Sequence, residues 1–144
     1  VGNADFAVLE LQGAGSLVPV SVGTDPKPLE SVIAAGFPTI SVRSDPDEIN
    51  PDVVFSQGNV SVVQTQPNGV GLVIHTANIA PGSSGGPLLN RCGTVVGINT
   101  FVGTGDEAEG RALYSLSPEA LRTYLSSEGI AFQSAAETCA SGGP

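Results

Sequence analysis

The chain has no Met and no Trp, only two Tyr and two Cys, and a single His. Charged residues make up 13% of the 144 positions, roughly half the usual share. Only five are basic, Lys27, Arg43, Arg91, Arg111 and Arg122, and they are scattered along the chain. With a formal net charge of −9 and no basic stripe, nucleic acid is not expected as a partner. The acidity implies weak repulsion of anions and names no partner. No apolar run approaches the ~18 residues of a membrane span, so no span is expected. Heptads and solenoid-length repeats are also missing. A chain that opens on Val1, holds no Met and carries no signal peptide reads as processed or as a fragment.

What is present points to strands. Valine outnumbers leucine 17 to 11, a bias that favours β structure. Glycine (19) and proline (11) together stay just short of the level that marks disorder. The length is that of one domain. Alternation and turn signals predict strands over 5–11, 17–22, 31–37, 53–64, 70–77, 87–90, 94–102 and 111–116. Pro67-Asn68-Gly69 and the turn around Cys92 are hairpin signals. Residues 41–52 and 103–110 read as acidic loops, and the first lacks the glycine and closing glutamate of a calcium loop. Asn59-Val60-Ser61 fits a glycosylation sequon but falls mid-strand. One helix is expected over 117–128. Ser117 is its N-cap, Pro118 its first residue, Glu119 sits at the positive end of its dipole and Gly129 follows its end.

Cys92 lies in a tight turn and Cys139 in a small, polar tail. Neither has metal-ligand spacing, so no metal is expected. They are either two unrelated thiols or one disulfide tying the tail to the body. A bridge closing about 48 residues would stabilise by roughly 4 kcal/mol in the chain-entropy account, and it would imply an oxidising compartment.

The chemistry lies in Ala80-Pro81-Gly82-Ser83-Ser84-Gly85-Gly86-Pro87-Leu88-Leu89. Glycines around a serine let the backbone turn two N–H groups toward one point and leave room for a substrate. The stretch satisfies the Gly-x-Ser-x-Gly pattern of a strand-to-helix nucleophile elbow. Here, however, the serine leads into a hairpin, and no His follows it.

Gly82–Leu88 resembles the nucleophile loop of trypsin-like serine peptidases. Asp5-Phe6-Ala7-Val8-Leu9 resembles the segment bearing their triad aspartate, and Gly97-Ile98-Asn99-Thr100 the substrate-binding strand after the nucleophile. The nearest likeness is to the bacterial Deg/Htr branch, through Ala77-Asn78-Ile79-Ala80-Pro81-Gly82 and Gly97–Thr100. The resemblance spans residues 5–116. Asp5 precedes Ser84 by 79 residues, against about 93 in the two-barrel template.

The resemblance implies an all-β fold: a six-stranded antiparallel chymotrypsin-like barrel over 29–116, the second of a double-barrel protease. Residues 1–28 would hold the last strand of an otherwise missing first barrel and the connector. The helix (117–129) and a tail (130–144) would follow. It also implies roles. Ser84 would be the nucleophile, the N–H groups of Gly82 and Ser84 the oxyanion hole, and Asp5 the orienter of a catalytic histidine. Asn78, Thr100, Phe101 and Ala112 would border the primary specificity pocket. None is charged, which favours a small or medium uncharged side chain. No cofactor is implied, and the partners would be a polypeptide substrate and the missing first barrel. The place would be the periplasm or outside the cell.

Two departures matter. Ser83 stands where trypsin-type enzymes carry an aspartate that pairs with a new N-terminus, so activation through Val1 is not expected. The base is also missing. In the family the histidine precedes the aspartate, whereas His75 follows Asp5 and sits on a strand, so His75 is read as a barrel histidine. Three readings stay open: a protease part inactive without its upstream histidine, an inactive peptidase-like binding module, and a plain β domain.

Overall fold

In the computed structural model, residues 4–13, 15–38, 52–104 and 111–135 are described, without the side chains of 101–104 and 111. Six strands, β1 (Ser31–Gly36), β2 (Val54–Thr65), β3 (Gly71–His75), β4 (Pro87–Asn90), β5 (Val95–Thr104) and β6 (Arg111–Leu116), are followed by helix α1 (Pro118–Ser127). The strands close into one barrel in the order β1-β2-β3-β6-β5-β4. Every pairing is antiparallel. The expected barrel with its C-terminal helix is therefore the fold.

The alternation read from the sequence supplies the inward side chains. Val32, Ala34, Val60, Val73, Ala77, Ile79, Leu88, Val96 and Leu113 form the main core. Closure leaves no free sheet edge among these strands, and short β-branched side chains suit the narrow interior. The β2–β3 hairpin turns where expected. Gly69 takes φ +85°, and Asn68 Oδ1 accepts from the Val70 N–H at 3.0 Å. In the β4–β5 turn Gly93 takes φ +74°, and Asn90 Oδ1 accepts from the N–H groups of Cys92 and Thr94.

The register slips in β2 between Val60 and Val62, where β4 meets β5, and in β5 between Asn99 and Phe101. In the last, Asn99 faces Ser115 and Phe101 faces Tyr114, so Thr100 is the extra residue of a bulge. Bulges re-aim side chains and are common beside active sites.

Helix α1 begins as its sequence dictates. Ser117 Oγ accepts from the Ala120 N–H at 3.2 Å, and Gly129 turns away at φ +68°. The helix is tied down by Arg122, which donates to the carbonyls of Gly23 (2.9 Å) and Val22 (2.8 Å) and to Ser134 Oγ (3.1 Å). The Arg122 guanidinium also lies 5.6 Å from the Phe132 ring centroid.

Two expected strands are corrected. Residues 5–11 belong to no sheet among the described residues. A strand needs a neighbour for its N–H and C=O groups, and none of the described residues offers one here. Leu9 is 82% exposed and Leu11 66%. The expected strand at 17–22 reduces to a bridge at Val22, which joins Val95 and Ser134. The expected acidic loops fall largely outside the described residues, as does Cys139. Among the described residues no helix is long and apolar enough to cross a membrane.

Candidate active site

The serine-bearing loop is held from three sides. The Ser83 N–H donates to the Ala80 carbonyl (2.9 Å) and the Gly86 N–H to the Ser83 carbonyl (3.1 Å). Ser83 is buried, and its Oγ accepts from the Ala80 N–H at 3.3 Å. Where a pairing aspartate would sit, this chain thus has a neutral hydroxyl that ties the loop to itself. The Gly85 N–H donates to the Asn99 carbonyl (2.9 Å) and the Asn99 N–H to the Gly86 carbonyl (2.8 Å).

Glycine is required here for two distinct reasons. Gly82 and Gly85 have φ of +95° and +84°, a region that strains other residues. Gly86 has ordinary φ, but a Cβ there would collide with the Ala35 carbonyl oxygen of β1. The loop lies that close to the barrel wall, and Gly36 similarly leaves room for Ser83.

This scaffold lifts Ser84 into solvent while Ser83 turns inward. Ser84 Oγ donates to the Thr100 carbonyl at 2.6 Å. The β5 bulge and the serine loop therefore meet at the hydroxyl. Among the described residues no acceptor takes the N–H of Gly82 or of Ser84. A pocket of about 330 Å³ opens beside the loop, between the ends of β1 and β2. Gly36, Phe55, Ser56, Asn78, Ala80 and Ser83 are on its wall. Asn78 is fixed there by its N–H, which donates to Ser56 Oγ at 2.8 Å.

Among the residues whose side chains are described, Thr100, Ala112 and Asp5 are not on that pocket's wall. Thr100 is at the serine, not on the pocket wall. Ala112 pairs with Gly103 across the β5–β6 ladder, and Phe101 pairs with Tyr114. The side chain of Phe101 lies outside the described residues. Asp5 is exposed. Its neighbours Ala4 and Phe6 pack against a second cluster of Val70, Leu72 and Leu116, and the Phe6 ring stacks on Tyr124 at 5.1 Å. Asp5 takes part in no hydrogen bond with Ser84 or His75 among the described residues.

His75 is a barrel histidine, 2% exposed on β3. Its Nε2 lies 3.0 Å from Ser115 Oγ, and Ser115 Oγ donates to Asn99 Oδ1 at 3.1 Å. The hydroxyl proton is thereby used, so Nε2 carries the proton that bonds Ser115. Among the described residues Nδ1 has no hydrogen-bond partner. Burial lowers the His75 pKa to about 4, only partly offset by the nearby Ala77 backbone. It is neutral at pH 7, too weak a base for the task, and its hydrogen bond goes to Ser115 while that of the Ser84 hydroxyl goes to Thr100.

The sequence reading names Asn99 only as part of the Gly97–Thr100 stretch, with no role of its own, and does not single out Ser115. Their signal was a polar residue in an inward slot of an apolar strand, which marks a buried hydrogen-bonded group rather than a surface one.

The class defined by this barrel and loop is borne out by comparison. The family model of the trypsin-like peptidase domain matches residues 1–98, and the chain belongs to that family. Among solved structures it is similar to the serine endoprotease from Yersinia pestis. That likeness has a TM-score of 0.58 and 23% identity, and it covers 84% of this chain and 38% of that one. The chain thus spans well under half the length of that protein. No curated protein matches it.

Proposed function

We propose that the chain is the C-terminal part of a trypsin-like serine endopeptidase of the Deg/Htr kind. Ser84 Oγ would attack the scissile carbonyl and pass its proton to a histidine supplied upstream of Val1. The oxyanion would be received by the N–H groups of Gly82 and Ser84, each worth about 3 kcal/mol in comparable enzymes. The amine would leave with the proton from the histidine, and water would then release the acyl group. Asp5 would orient that histidine. The observation that carries this reading is an exposed Ser84 hydroxyl on a loop that glycines at positive φ allow to turn, with no acceptor among the described residues for the N–H groups of Gly82 and Ser84.

The partners would be a polypeptide substrate and a first barrel of the same protein. The exposed apolar side chains of Leu9, Leu11, Leu17 and Val18 support such a neighbour. Asn78, Thr100, Phe101 and Ala112 remain the proposed border of the specificity pocket, and a preference for uncharged side chains follows. A Cys92–Cys139 bridge, with a periplasmic or secreted place, belongs to the same reading. It is supported by Cys92 not being a free thiol. Intact mass before and after reduction tests the bridge.

The test of the activity is an organophosphorus serine probe applied to this chain and to the full-length protein. Labelling of full-length protein, lost in Ser84→Ala and absent from this chain alone, is the expected result. Full-length protein that is folded but unlabelled overturns the enzyme reading in favour of a peptide-binding module.

A further inference from the structure

We propose that Asn99 is a positioning residue for the serine loop, and that a buried relay from Ser115 and His75 locks it in place. The proposal rests on the peptidase reading for its catalytic meaning only. The lock itself is a matter of geometry.

Asn99 meets the loop with both backbone groups. Its carbonyl accepts from Gly85 at 2.9 Å and its N–H donates to Gly86 at 2.8 Å. The two bonds grip the residues that immediately follow Ser84. Asn99 also begins the bulge whose extra residue, Thr100, holds Ser84 Oγ. Any tilt of β5 at Asn99 therefore moves both the backbone behind the serine and the acceptor in front of it.

The side chain of Asn99 fixes that tilt. At 1% exposure, its Nδ2 donates to the Ala35 carbonyl of β1 at 3.1 Å and to the Pro87 carbonyl at the start of β4 at 3.4 Å. Its Oδ1 accepts from Ser115 of β6, which is bonded in turn to His75 of β3. One amide thus spans β1, β4, β5 and β6, with β3 reached through Ser115. Ala35 is the residue whose carbonyl oxygen Gly86 presses against, so Asn99 and Gly86 share one anchor. Buried donors and acceptors with fixed partners admit one arrangement, since leaving any of them unpaired is costly. An apolar side chain would fill the space without setting the angle of the strand.

Two variants test this. Ser115→Ala removes the donor to Asn99 Oδ1, and Asn99→Asp turns Nδ2 into an acceptor facing two carbonyls. Val32→Ala, in the core on β1 and paired with no residue of the relay, controls for general loss of stability. Amide hydrogen exchange is read residue by residue on this chain. With Ser115→Ala, the Gly85 and Asn99 amides should exchange about tenfold faster relative to those of the β2–β3 pairing, whereas Val32→Ala should raise both sets alike. In the full-length protein, kcat should fall about tenfold with KM unchanged. Asn99→Asp should do more in both assays. If it fails to fold, Ser115→Ala alone decides. The proposal is overturned if Ser115→Ala loosens the barrel evenly, or if kcat and KM are both unaffected in an active enzyme. If Ser84 proves unreactive in the full-length protein, the peptidase reading fails, and the exchange result still decides the lock.

Discussion

Ser84 donates its hydroxyl proton to the Thr100 carbonyl at 2.6 Å, across the gap between the serine loop and the bulge of β5. A serine engaged in this way is held in one rotamer, with its oxygen lone pairs free. Attack on a carbonyl requires the proton to be handed to a base instead, so on the proposed peptidase reading this contact would have to break as a histidine takes the proton.

Replacing Ser84 with Ala should leave the barrel intact, because the side chain is exposed and its one hydrogen bond ends on a half-buried residue. Thermal unfolding should change by less than about 0.5 kcal/mol. Probe labelling of the full-length protein should disappear, and peptide hydrolysis should fall by on the order of 10⁶ in kcat.

Gly85 and Gly86 should respond differently to Ala. At Gly86 a methyl group meets the Ala35 carbonyl oxygen, so the loop must leave the barrel wall, at a cost of about 1–3 kcal/mol and with loss of Ser84 reactivity. At Gly85 nothing lies within 4 Å of the added carbon, and the cost is the φ strain alone, about 1–2 kcal/mol. Urea unfolding with probe labelling separates the two. Equal, slight effects would count against the packing described.

His75 makes stability depend on pH. Its folded pKa, lowered by burial to about 4, lies below the unfolded value of 6.5. The unfolded chain therefore binds the proton first as pH falls. Stability attributable to His75 is complete above pH 6.5 and declines as pH falls through about 4, by up to about 3 kcal/mol. Asp25 acts in the opposite sense. Burial, then the Glu119 carboxylate, raise its pKa above 3.8, so its contribution is present below 3.8 and is lost as pH rises through the folded pKa. His75→Gln keeps a donor for Ser115 and should flatten the acid limb in urea melts between pH 6.5 and 4. An unchanged slope would remove His75 from the account.

Arg122 ties α1 to the connector. Arg122→Gln breaks the bonds to Val22 and Gly23 and the contact with Phe132, and it should destabilise by about 2 kcal/mol. Exchange should quicken first at the Val22 and Ala135 amides, which bond to Gln133 and Val22 respectively. Loss confined to the helix would argue against that link.

The barrel strands were legible because alternation and turn residues are local signals. Pro67-Asn68-Gly69 specified its own hairpin, and Ser117-Pro118-Glu119 its own helix start. Residues 5–11 carry the same alternation yet form no strand. Periodicity reports which face is apolar, and it cannot supply a partner strand. The serine loop was legible for a similar reason, since the glycines that free the backbone lie beside the residue they serve.

The β class, the helix caps and the Gly82–Gly86 loop with Ser84 at its crest are encoded locally. They depend on side chains acting within a few residues of their own backbone. The contact of Gly86 with Ala35, the bulge that brings the Thr100 carbonyl to Ser84, and the buried chain of Asn99, Ser115 and His75 arise in the folded barrel alone. Each of those contacts joins strands distant in sequence and is fixed by barrel closure and a one-residue slip in register, which no local pattern encodes.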